Sequence, residues 1–221
     1  MNFDDSINSI IVGDCLEVLA GWPAGCVNLV VTSPPYNIGK EYDNYNDNVP
    51  WGKFIAWNQM VLNELLRISK HVVWIIGSHN NMEYFTKLRP ALETLSTFKV
   101  IHAPRFLYMN PVELAIYLWQ PGWSWKKKHK PPLLLSGQVV SWLPVVFGKE
   151  ENLYKGHPAS FPERYATYFI ESFTEPGELV LDPFVGSGTT TNIAQRMGRQ
   201  YIGIDISEKY CHRKCRCAGN T

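Results

Sequence analysis

No apolar stretch in this chain approaches the ~18 uninterrupted residues of a membrane-crossing helix. The N-terminus, Met1-Asn2-Phe3-Asp4-Asp5, is acidic and lacks the basic and apolar regions of a secretion signal. There is no low-complexity run and no internal repeat, which argues against a disordered or fibrous class. Net charge is only +1, so bulk electrostatics announce no nucleic-acid partner; one would have to be held by a local patch. Cysteine is sparse and odd in number, at Cys15, Cys26, Cys211, Cys215 and Cys217. Reduced thiols and an intracellular setting are the expectation. The tail Cys211-His212-Arg213-Lys214-Cys215-Arg216-Cys217 matches no zinc spacing, and four ligands crowded into seven residues would be sterically awkward, so no metal is expected.

What is present is a core. The chain is 221 residues with 45% apolar side chains, enough for one sizeable domain without staples. Short apolar runs at Ile7 to Val12, Val27 to Val31, His71 to Ile76, Val112 to Trp119, Leu179 to Leu181 and Tyr201 to Asp205 read as strands. Helical patterns begin at Leu16 and cover Trp51 to Ser69, Met82 to Leu95, Pro162 to Phe173 and Thr189 to Met197. Pro90 is expected to kink or split the third of these. Alternation of the two types predicts an α/β fold, a mostly parallel sheet with helices on both faces.

The stretch Thr32-Ser33-Pro34-Pro35-Tyr36 follows one buried strand directly. Two prolines fix φ, remove amide donors and push the backbone into an extended form. At the carboxyl end of a parallel strand such a segment faces the ligand crevice. It offers a hydroxyl, carbonyls and an aromatic face, which suits a flat polar ring. A polar, Asn-rich run from Asn37 to Asn48 follows, too long to be an ordinary connection.

A second constellation lies near the C-terminus. A strand ends at Asp182, turns through Gly186-Ser187-Gly188, enters a helix and returns as a strand ending at Asp205. The glycines allow close backbone approach, and an acid at that distance suits ribose hydroxyls. The third glycine of a dinucleotide site is missing, and so is the lysine of a P-loop. Asp182 would repel a pyrophosphate but attract an ammonium group. A ligand that joins ribose to an α-amino acid is S-adenosylmethionine. Asp14, after Ile7 to Val12 and Gly13, occupies a comparable strand end close to a helix N-cap.

With these residues in place, the chain resembles the amino-group DNA methyltransferases of restriction–modification type, in the permuted beta order. Thr32 to Tyr36 resembles the catalytic motif. Asp182-Pro183-Phe184-Val185-Gly186-Ser187-Gly188-Thr189-Thr190 resembles the cofactor loop, and His157-Pro158-Ala159-Ser160-Phe161-Pro162-Glu163 the segment before it. Gly13-Asp14-Cys15 resembles the adenine-contacting motif and Gly203-Ile204-Asp205 the ribose-binding acid.

The resemblance implies a Rossmann-like, S-adenosylmethionine-dependent fold with Ser33, Pro34, Pro35 and Tyr36 catalytic. It implies cofactor contacts from Asp14, Cys15, Thr32, His157, Pro158, Phe161, Asp182, Pro183, Phe184, Gly186, Ser187, Gly188, Thr189 and Asp205. In this picture residues 1–119 form the catalytic half and 157–221 the cofactor half of one domain. Residues 120–156, an insertion lying over the sheet edge rather than in it, recognise the target. Lys126, Lys127, Lys128 and Lys130 are its candidate phosphate contacts on double-stranded DNA. Partners then include DNA and a cognate restriction endonuclease, in a cytoplasmic, nucleoid-associated setting. Monomer and homodimer both stay open.

An exocyclic amino group is a weak nucleophile, because its lone pair is delocalised into the ring. The family resemblance gives Ser33 and the Pro34 carbonyl the role of accepting its hydrogens and aiming the lone pair at the methyl donor. Ser at position 33 is typical of cytosine-N4 enzymes, whereas Asp or Asn is usual for adenine-N6 enzymes; cytosine N4 is preferred and adenine N6 is the alternative. No Pro-Cys nucleophile motif is present, which argues against carbon-5 methylation. Protein-glutamine and RNA methyltransferases share a Pro-Pro-Tyr motif but carry the cofactor motif first. A catalytically inactive DNA-binding relative is the rival from another class. After Cys211 the chain departs from the family's long amphipathic helix, turning into a Cys- and Arg-rich tail.

Overall fold

The computed structural model describes residues 2–39, 46–76, 81–95, 97–103, 113–119, 140–142 and 163–215. After a 3-10 turn at Asp4–Ser6, the elements are β1 (Ser9–Val12), α1 (Cys15–Ala20), β2 (Val27–Thr32), α2 (Trp51–Ile68) and β3 (Ser69–Ile76). Then come α3 (Asn81–Leu95), β4 (Thr97–Ala103), β5 (Glu113–Trp119) and β6 (Val140–Trp142). The cofactor-like unit supplies α4 (Glu163–Phe173), β7 (Leu179–Asp182), α5 (Thr189–Arg196), β8 (Gln200–Asp205) and α6 (Glu208–Cys215).

The eight described strands form one sheet in the order β1-β8-β7-β2-β3-β5-β4-β6. β5 runs antiparallel to both of its neighbours, β3 and β4; the other pairs are parallel. The last two strands in the sequence therefore sit between the first two. This is how a permuted chain completes a Rossmann-like sheet.

Side-chain alternation divides the core between the two faces of the sheet, as strand geometry requires. Val30, Val72, Trp74, Ile76, Leu181 and Ile204 face one way and pack with Leu19, Phe54, Leu62, Leu65 and Leu88 from α1, α2 and α3. Leu29, Val31, Val73, Ile75 and Val180 face the other way against Tyr165, Phe169, Ile170 and Phe173 of α4 and Ile193 of α5.

Two expectations need correction. Residues Val140–Trp142, inside the supposed insertion, form β6 and pair with β4 at the sheet edge, so part of this region belongs to the sheet. Pro90 does not divide α3. It lies on the exposed face, while Tyr84, Leu88, Ala91 and Leu92 bury a continuous stripe spanning both sides of it. The Cys- and Arg-rich stretch after Cys211 begins inside a helix, and its last residues, 216–221, lie outside the described ones. α6 runs through Cys211 to Cys215, with Tyr210 and Cys211 buried against β1 and β8.

Candidate active site

The chain leaves the carboxyl ends of two adjacent parallel strands, β7 and β2, in opposite directions: β7 leads through α5 to β8, and β2 through α2 to β3. Such a switch point opens a crevice above the strand ends. The terminal residues of the two strands, Asp182 and Thr32, meet there, and Thr32 Oγ1 donates to Asp182 Oδ1 at 2.7 Å. Both side chains are buried. Burial pushes the Asp182 carboxyl up to about 6; bonds from Thr32, the Phe184 amide and Thr190 oppose that rise, and the Asp205 charge adds to it. Thr190, on the first turn of α5, donates to the Val31 carbonyl at 3.0 Å. Thr190 is the last residue of the motif that begins at Asp182, and it is absent from the expected cofactor contacts. Its signal was present only as a second threonine after the glycines.

Beyond β7, Gly186 and Gly188 adopt φ of 45° and 79°, the left-handed region that favours glycine. Gly188 caps α5, whose first-turn amides favour an anionic group. Asp205, at the end of β8, accepts from Gly186 N at 2.9 Å and from Ser207 N at 2.9 Å. Its carboxylate thus stands at the carboxyl edge of the sheet, beside the glycine turn that follows β7. Asp14 caps α1 beside it, accepting from Leu16 N at 2.8 Å, and Gly13 N donates to the Asp205 carbonyl at 2.9 Å. Cys15 is buried in the core, where burial and then the neighbouring Asp14 push its thiol up to about 12, leaving its backbone as what it can offer a ligand. Val12 and Ile206 stand half-exposed beside these acids, an apolar pair that composition alone did not reveal.

Three carboxylates therefore lie at or just beyond the carboxyl ends of three adjacent strands, β1, β8 and β7, next to a helix N-terminus. This donor set fits a zwitterionic amino acid joined to a nucleoside: acids for ammonium, hydroxyls and amine, and amides for a carboxylate. It does not fit a pyrophosphate.

In the strip after β2, Pro34 and Tyr36 are buried while Ser33 and Pro35 are half-buried. The Ser33 and Tyr36 hydroxyls are hydrogen-bonded to each other. Phe184 lies against Trp57 of α2, with ring centroids 5.5 Å apart, and against Trp74 of β3 at 6.0 Å. Pro183 is buried; Ser187 and Thr189 share a hydroxyl contact at 3.1 Å. His157, Pro158, Phe161, Lys126, Lys127, Lys128 and Lys130 lie outside the described residues. Among the described residues no cluster of metal-ligating side chains is present, and no helix is long and apolar enough to cross a membrane.

Fold and strand-end chemistry together define a Rossmann-like protein of the methyltransferase type. The chain belongs to the N6/N4 DNA methylase family, whose model matches residues 27–132 and 118–214; it is a DNA methyltransferase of an S-adenosylmethionine-dependent family. Among its relatives, the type II methyltransferase M.BglII of Bacillus subtilis is 28% identical over 92% of this chain and 67% of its own length. The DNA adenine methyltransferase YhdJ of Escherichia coli K12 is 28% identical over 94% of this chain and 81% of its own. The cytosine-N4-specific PvuII DNA methyltransferase superposes with a TM-score of 0.71 at 22% identity, covering 94% of this chain and 84% of that one. The M1.HpyAVI–SAM complex does so at 0.64 and 19%, covering 96% and 99%. At these identities the structures speak for the fold.

Proposed function

We propose that this methyltransferase methylates the exocyclic N4 of cytosine in double-stranded DNA, with Ser33, Pro34, Pro35 and Tyr36 as its base-gripping strip. The observation that carries this reading is the placement of an uncharged hydroxyl, Ser33, at the switch-point crevice beside the buried Tyr36. The target nitrogen is inaccessible inside a duplex, so the base must be flipped out, and the Tyr36 ring offers a face for it. Ser33 Oγ and the Pro34 carbonyl accept the amino hydrogens. Whichever hydroxyl donates in the Ser33–Tyr36 pair, Ser33 keeps a lone pair for the substrate. When bound, S-adenosylmethionine supplies an electrophilic methyl group. Asp182 is assigned to its ammonium group, Asp205 to the ribose, Asp14 to the adenine, and Gly186 to Thr189 to the turn around it. His157, Pro158 and Phe161 complete that half. Positive charge develops on the nitrogen during transfer, and the fixed acceptors stabilise it with no reorganisation. The methylated nitrogen is then acidic and loses its proton to water.

Residues 1–119 and 157–221 act in this reading as catalytic and cofactor halves. Residues 120–156 read the target, with the lysines at 126, 127, 128 and 130 on phosphates. A cognate endonuclease fits the type II relative. The second reading, adenine N6, is favoured by the relative named as an adenine methyltransferase. Incubation with labelled cofactor and mixed-sequence DNA, followed by mass spectrometry of the nucleosides, decides between them. N4-methylcytosine is expected; N6-methyladenine would replace the first reading with the second.

A further inference from the structure

The catalytic strip is anchored in an unusual way. Pro34 and Pro35 carry no amide hydrogen, so the centre of the strip has no backbone donors with which to be pinned. Anchorage has to come from side chains or from the residues beyond Tyr36, and Asn37 supplies both. It sits at φ 57° in the left-handed region, a conformation that Asn tolerates better than most residues. Its carboxamide is used at both ends on one residue: Nδ2 donates to the Val49 carbonyl at 2.8 Å, and Oδ1 accepts from the Val49 amide at 2.8 Å. The carboxylate of Asp47 closes the same junction from the other side. It accepts from Asn37 N at 2.7 Å and from Ile38 N at 3.1 Å, and Gly39 N donates to the Asp47 carbonyl at 2.8 Å.

Asp47 is only 2% exposed, a costly place for a carboxylate unless its bonds do work. The clasp reaches further than the loop. Val49 immediately precedes Pro50, the N-cap of α2, so the strip and the start of α2 are joined through one side chain. α2 in turn presses Trp57 against Phe184 of the cofactor loop. The backbone just after Tyr36 is thereby fixed relative to both halves of the site.

We propose that Asn37 and Asp47 are positioning residues for methyl transfer. Through these four side-chain hydrogen bonds they hold the Ser33–Tyr36 hydroxyl pair where the target amino group must meet it. The inference rests on the reading of Ser33 to Tyr36 as the base-gripping strip. Neither residue need touch substrate or cofactor.

The test compares Asn37→Gly, Asp47→Ala and Asp47→Asn with the wild-type chain, using tritiated S-adenosylmethionine and double-stranded bacteriophage lambda DNA. Glycine accepts the left-handed backbone without strain, so N37G removes the carboxamide clasp while sparing the conformation. Displacement of reacting groups by an ångström or less should lower kcat roughly ten- to hundredfold in N37G and D47A. Cofactor affinity by calorimetry should stay within about twofold, because no cofactor residue has moved. D47N keeps one acceptor oxygen and should recover part of the rate that D47A loses. Loss of cofactor affinity in step with kcat would show a merely structural role and overturn the proposal, as would unchanged kcat in both N37G and D47A. If the wild-type chain methylates nothing, the reading of the strip fails first and takes the proposal with it.

Discussion

Thr32 donates its hydroxyl to the Asp182 carboxylate at 2.7 Å, joining the ends of two neighbouring strands that lie 150 residues apart in the chain. Thr190, on the first turn of α5, repeats the connection in the opposite sense, back to the carbonyl of Val31. The residue just before Ser33 therefore shares a buried hydrogen bond with the acid that ends β7. Neither half of the site can shift without being felt in the other.

Thr32→Val keeps the shape and removes the hydroxyl, so it leaves a buried charge with one donor fewer. A hydrogen bond to a charged group contributes about 1.5–3 kcal/mol. That loss applies only when Asp182 is ionised, so thermal unfolding should show a clear drop at pH 8 and a smaller one at pH 5. Equal drops at both values would mean that the bond does not serve the charge.

Asp182 itself predicts a pH dependence of cofactor binding. Its folded-state value of about 6 lies above the ordinary 3.8, so the free folded protein holds an extra proton between roughly pH 4 and pH 6. The contribution of Asp182 to the stability of the free protein accordingly falls as pH rises through that window. Affinity for an ammonium-bearing ligand moves the other way, because only the ionised carboxylate attracts it. Calorimetric titration from pH 5 to 8 should show S-adenosylmethionine binding weaken below about 6, and Asp182→Asn should be weak and flat across the range.

The sheet's central strands and the flanking helices were legible in the sequence because apolar runs of four to eight residues and 3.6-residue stripes are local signals. So were Asp14, Asp182 and Asp205, each placed by a strand that visibly stops there. β6 was not, since three residues in a stretch without periodicity gain their strand character only from pairing with β4. The continuity of α3 through Pro90 was hidden for a related reason: the buried stripe that holds both turns together outweighs the local penalty of proline. The length of the Asn37 to Asn48 run marked it as more than a connection, but the Asn37–Asp47 clasp itself was hidden, because it consists of bonds made across ten and twelve residues.

Gly203 is a position where the fold demands the absence of a side chain. A Cβ there would lie 2.6 Å from Ile10 Cδ1, 2.8 Å from Val185 Cγ2 and 3.0 Å from Val185 Cβ. Ile10 can swing away, but Val185 is tied by its amide to the Ile204 carbonyl at 2.9 Å and leads directly into Gly186. Gly203→Ala should cost about 1–3 kcal/mol, as overpacking does. It should also weaken cofactor binding by displacing the loop. A variant with wild-type melting temperature and cofactor affinity would refute this account of the contact.

The lysines at 126, 127, 128 and 130 are assigned to phosphate contacts, and such contacts release counterions. Each one removed should reduce the slope of log affinity against log salt by about one unit. Filter binding of a double-stranded probe between 50 and 200 mM salt, for single and combined alanine variants, measures it. An unchanged slope in the fourfold variant would remove these residues from the interface.

Ser33 and Tyr36 can be separated by what each variant leaves behind. Ser33→Ala removes a fixed acceptor aimed at charge that develops only during transfer, so kcat should fall by about 10²-fold or more while cofactor affinity holds. Tyr36→Phe deletes the hydroxyl paired with Ser33 but keeps the ring. Ser33 then loses its orienting partner without losing its lone pairs, and the rate should drop by only about tenfold or less. Tyr36→Ala removes the stacking face as well, and its loss should fall chiefly on the flipped base: KM for DNA should rise and kcat fall together. The order S33A below Y36F in kcat is the decisive comparison. If Y36F were as slow as S33A, the Tyr36 hydroxyl rather than Ser33 would be the acceptor for the amino group, and the argument from serine to cytosine would lose its footing.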